Sequence, residues 1–96
     1  MNSAFEHIEQ VRYLSARIFE SGLNSCGNLN SEIKKLSEQA EELSLDTGAD
    51  LLKKLAAALS ALRAGQGGIK QAAVIYSNLV SYYGLVSELL ILEKAF

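Results

Sequence analysis

Residues 69–94 read IKQAAVIYSNLVSYYGLVSELLILEK, and the fold turns on this stretch. Its apolar residues recur three and four apart, in two adjacent stripes. One stripe is Ile69, Ala73, Tyr76, Val80, Tyr83 and Leu90; the other is Ala72, Ile75, Leu79, Tyr82, Val86 and Leu89. That spacing is helical, because residues one turn apart share a face of a 3.6-residue helix. Together the stripes cover well over half the wheel. The remaining strip is small or polar (Ser77, Asn78, Ser81, Gly84, Glu88), yet Val74, Leu85 and Leu92 lie on it too. The chain contains no proline, so nothing of that kind interrupts the helix.

A helix this apolar either crosses a membrane or is packed in protein. From Ala72 to Leu92 the only charge is Glu88, and 21 residues suffice to span a bilayer. Asn78 and three serines dilute the segment, however, and no basic cluster flanks it. The expectation is a central core helix, buried by its neighbours. Short neighbours cover one broad face only, so the surplus apolar surface and the terminal run Leu89-Leu90-Ile91-Leu92 point to a partner as well.

Upstream, three shorter amphipathic helices are expected, over about 4–21, 30–43 and 48–64, with the last helix over 69–94. In the first, Phe5, Ile8, Val11, Leu14, Ile18 and Phe19 fall on one half of the wheel. Ser3 with Glu6 forms a capping box, and Gly22 is placed to stop the helix, with Leu23 folding back on Ile18. Asn28 or Asn30 caps the second helix, whose stripe is Ile33, Leu36, Ala40 and Leu43. Asp46, Thr47 and Gly48 break the pattern, and Thr47 with Asp50 reads as a second capping box. The third helix carries Leu51, Leu52, Leu55, Leu59 and Leu62 on one face and alanines on much of the rest. Gly65-Gln66-Gly67-Gly68 ends it. The fold class is therefore all-α: a four-helix bundle in a single domain of 96 residues, with a long apolar C-terminal helix.

Composition narrows the function classes. Nine basic residues against eleven acidic ones give a net charge of −2, without the basic cluster that nucleic-acid or anionic-membrane binding needs. A helix-turn-helix reader is weakened further by the start of the third helix, Ala49-Asp50-Leu51-Leu52, which presents an acid where phosphate contacts belong. The lone Cys26 admits no intrachain disulfide, and the N-terminal residues lack a signal-peptide pattern, so a cytoplasmic setting is expected. With Cys26 and His7 alone of their kinds, neither a zinc site nor a catalytic thiol pair can be assembled; no metal, cofactor or catalytic residue is expected. His7 reads as a solvated side chain, and the tyrosines as rim packing with hydroxyls at water.

Ala72-x-x-x-Tyr76-x-x-x-Val80, after a glycine-bearing turn, resembles the second helix of a tetratricopeptide repeat. The preceding helix lacks that repeat's aromatic and glycine signature, and no second copy follows. The resemblance covers about a third of the chain and implies only stacked helix pairs.

The functional expectation is a non-enzymatic protein-interaction or oligomerisation module, acting as a homodimer or against another domain. Its candidate interface is Val74, Tyr82, Leu85, Leu89 and Leu92. The alternative is a small-ligand binder or small enzyme with a pocket near Tyr76, Tyr83 and Gly84. Gly84 itself reads as a notch where another helix packs closely.

Overall fold

In the computed structural model, which describes residues 4–23 and 29–95, four helices follow one another: α1 (Ala4–Ser21), α2 (Asn30–Glu42), α3 (Asp46–Arg63) and α4 (Ile69–Ala95). The all-α fold with a long apolar C-terminal helix is as expected. Ser3, Asn28 and Cys26, to which caps or a surface thiol were assigned, lie outside the described residues.

Glycine ends α1 and α3 as anticipated. Gly22 (φ 81°) closes α1 with its N–H on the Ile18 carbonyl at 2.8 Å. At the end of α3, Gly65 (φ 73°) donates to Leu62 O at 3.1 Å and Gln66 to Ala61 O at 2.8 Å, the paired bonds of a Schellman turn. The α2–α3 corner departs from expectation. There Ser44 takes the left-handed conformation (φ 63°), donating to Glu41 O at 3.0 Å while Leu45 donates to Ala40 O at 2.8 Å. The same Schellman turn is thus built on a serine. The break falls at Leu43–Leu45, and α3 starts at Asp46 and not at Gly48. Neither Asn30 nor Thr47 serves as a cap: the residues preceding α2 and α3 are Leu29 and Leu45, without side-chain caps. Asn30 is inside α2 and donates to Ser60 Oγ instead, and Asp50 pairs with Lys54 at 3.0 Å.

The core gathers Ile8, Val11, Leu14 and Ile18 of α1, Ile33, Leu36 and Ala40 of α2, and Ala49, Leu52, Leu55, Ala56 and Leu59 of α3. Each large side chain buried here contributes about 1.5–3 kcal/mol. Phe5 and Phe19 are not among them; Phe19 is 80% exposed, because the buried arc of α1 is narrower than half a wheel.

The largest correction concerns α4, which is not central. α2 and α3 make the most extensive helix pair, and α4 lies along the side of α3 and α1. Among the described side chains of α4, only Ala72, Leu79 and Tyr83 are fully buried. Its register against α1 is fixed by two hydrogen bonds, Tyr83 to His7 and Tyr76 to Ser15, which make the two helices antiparallel. By that register α4 runs on about 12 Å past the start of α1, at 1.5 Å per residue. The molecule measures 48 × 21 × 20 Å accordingly.

Candidate functional site

α4 has three longitudinal zones, set by the 100° step of a helix. The inner zone, Ala72, Ile75, Leu79, Tyr83, Val86 and Leu90, is buried or half-buried against α1 and α3. Along the α3 side run the exposed Val74 (58%), Leu85 (57%), Leu89 (55%) and Leu92 (53%). With Tyr82 they span an arc of about 80°. Along the α1 side Ile69, Val80 and Ile91 are exposed too, and between the two flanks runs a polar strip of Lys70, Ser77, Ser81 and Glu88.

Four of the five residues singled out from sequence therefore share one solvent-facing flank. The fifth, Tyr82, is half-buried, its ring edge-to-face with Tyr83 at 5.2 Å. The stretch Ile69–Leu92 is 24 residues long with mean hydropathy 1.3, and 11% of its most apolar window is buried. The expectation of a buried core helix fails on that figure: α1 and α3 reach only one face of α4.

The residues grouped as a pocket separate. Tyr83 and Gly84 border a recess of about 420 Å³ between α1 and α4, with Arg12, Ser15, Val80, Ser87 and Glu88. Tyr76 is not on its wall; its hydroxyl donates to the Ser15 carbonyl at 2.7 Å. Nor is Gly84 a site of close packing within the chain, since nothing lies within 4 Å of a Cβ placed there. A second recess of about 520 Å³ lies between α1 and α2 and is walled by Tyr13, Leu14, Leu36, Gln39 and charged side chains. The Arg17–Glu32 ion pair at 2.8 Å bridges it.

His7 is the clearest miss of the sequence reading. It is buried, and it ties three helices together. Nδ1 lies 3.3 Å from Gln39 Oε1 of α2, and Nε2 lies 2.7 Å from the Tyr83 hydroxyl of α4. An amide oxygen can only accept, so Nδ1 carries the proton and Nε2 accepts from Tyr83. Burial pushes the His7 pKa below its ordinary value, opposed by the Gln39 bond. Tyr83 is 1% exposed, so its hydroxyl is not at water. The signal was present: His7, Val11, Leu14 and Ile18 keep the four-three-four spacing of a core seam.

Gly48 was missed in the same way, read as a pattern breaker. A Cβ there would lie 2.5 Å from the Tyr83 hydroxyl and 3.0 Å from the Tyr82 ring. Its missing side chain lets the start of α3 close over the tyrosine pair. Among the described residues no group of three or more His, Cys, Asp or Glu side chains converges. Compared with known proteins, the chain matches no family model, no curated protein and no solved structure at a significant level.

Proposed function

We propose that this protein is a non-enzymatic interaction module that associates through α4, with a second copy of itself as its first partner. The observation that carries this reading is the flank of Val74, Leu85, Leu89 and Leu92, each more than half exposed. Covering such half-exposed side chains gains about 1 kcal/mol apiece, and large apolar side chains gathered on one exposed flank, interrupted there by Gln71 and Asn78, suit an association surface. The single cysteine, which admits no intrachain disulfide, supports a cytoplasmic setting.

The test is solution mass by light scattering over a range of concentrations, for the parent chain and for a Leu85→Ser, Leu89→Ser, Leu92→Ser variant. The parent is expected to associate and the variant to remain monomeric with its helical content intact. Equal association of both would remove α4 from the interface.

A second reading is favoured by the length and hydropathy of Ile69–Leu92, which suit a bilayer. In it, α4 inserts in lipid and the other helices remain at the surface. Lys70, Asn78 and Glu88 weigh against it, as does the polar strip on the face turned away from the core. Flotation of the chain with lipid vesicles separates the two readings.

A further inference from the structure

Between Ile69 and Leu92, α4 carries two charges, Lys70 and Glu88. They are 18 residues apart, which is five full turns, so both stand on one line of the helix. That line is the middle of the polar strip, facing away from the core, and both residues are exposed. Neither forms an ion pair within the chain among the described residues.

We infer that two copies of this chain pair through antiparallel α4 helices, about a two-fold axis level with Leu79, with Lys70 of each facing Glu88 of the other. This deepens the interaction reading above and rests on it. Placing the axis midway between the two charges determines every other neighbour. Ser77 meets Ser81 of the second copy at the centre. On the α3 side Val74 of one copy lies beside Leu85 of the other. On the α1 side the two Val80 side chains meet near the axis, and Ala73 lies beside Gly84. Val74 with Leu85 and Val80 with Val80 set apolar beside apolar, the two exposed Asn78 side chains face each other near the axis on the α3 side, and opposite charges close both ends, with Leu89 and Leu92 just beyond them. Serine and glycine on the centre line allow the helix axes to approach to about 8 Å. The unfilled space at Gly84, which nothing in the chain occupies, is then taken by the second helix. A parallel pair in register would set Lys70 against Lys70 and Glu88 against Glu88, which disfavours it.

Sedimentation of the full chain over a wide concentration range tests the pairing. Lys70→Glu and Glu88→Lys each set like charges together at both ends, and each is expected to weaken dimerisation by roughly two- to thirtyfold. The double variant is expected to restore it. Nothing in the chain lies within 4 Å of a Cβ at Gly84, so Gly84→Phe is expected to abolish the dimer while helical content is retained and the thermal midpoint of dilute protein does not fall. A dimer indifferent to both charge reversals overturns this pairing and leaves association through α4 standing. A chain that is monomeric at every concentration overturns both the pairing and self-association. If that monomer floats with phosphatidylcholine vesicles, lipid is the occupant of the flank.

Discussion

His7 holds α1, α2 and α4 at one point, and its chemistry makes the joint sensitive to acid. The neutral ring fits its two partners, one accepting and one donating; a protonated ring would turn Nε2 into a donor facing the Tyr83 hydroxyl. Because the folded-state pKa is lowered below 6.5, the unfolded chain binds the proton first. Stability is therefore complete above pH 6.5 and falls as pH drops below it, toward the folded pKa. Denaturant titrations at about pH 7 and about pH 5.5 are expected to show a lower midpoint in acid. A His7→Gln variant should lose that difference, since the chain has no other histidine. Gly48 guards the same joint from the α3 side. Alanine is the better helix former by about 1 kcal/mol, but its Cβ would meet the Tyr83 hydroxyl at 2.5 Å and break the bond to His7. Overpacking of this kind costs about 1–3 kcal/mol, and with the loss of a buried hydrogen bond it exceeds the propensity gain. Gly48→Ala is expected to destabilise the fold by about 1–2 kcal/mol in urea unfolding; a more stable variant would show that the joint yields.

At the scale of the element, the α2–α3 corner shows why some boundaries could be read and others could not. Gly22 and Gly65 announce their left-handed turns because glycine alone enters that region freely. Ser44 occupies the same conformation at a cost, and so is silent in the sequence, while Asp46-Thr47-Gly48 imitates punctuation although it begins a helix. Ser44→Gly is expected to relieve that cost, offset in part by the greater freedom of an unfolded glycine. The net gain should be about 0.5–1 kcal/mol by thermal unfolding, and a loss would mean that the Ser44 side chain supports the turn. The spans of the four helices were legible because their apolar spacing is close to 3.6 throughout. The orientation of α4 was not. A helix apolar on nearly every side gives no direction to its neighbours, and what decides it here is a specific fit, Tyr83 to His7 and Gly48, that periodicity does not encode. The flank of Leu85, Leu89 and Leu92 was legible for the opposite reason: steps of four and three aim all three at one place, whatever covers them.

For the whole molecule, the stability of the fold and the proposed association are separable, and that separation gives a decisive measurement. The core of α1, α2 and α3 is complete without Val74, Leu85, Leu89 and Leu92, which stay more than half exposed. Substituting exposed side chains ordinarily changes stability by no more than about 0.5 kcal/mol each. A dimer, in contrast, stabilises its folded subunits by mass action, so its thermal midpoint must rise with protein concentration. The parent chain is accordingly expected to melt at progressively higher temperature as it is concentrated. The Leu85→Ser, Leu89→Ser, Leu92→Ser variant should melt near the dilute limit of the parent at every concentration. If the variant instead melted well below that limit, those leucines would belong to the monomer's own core and the flank would not be a surface at all. If both chains showed a midpoint that ignored concentration while vesicles raised it for the parent alone, the same apolar side chains would be at work against lipid. The exposed flank of α4 makes opposite demands in these cases, so calorimetry at a few concentrations, with and without vesicles, discriminates among them.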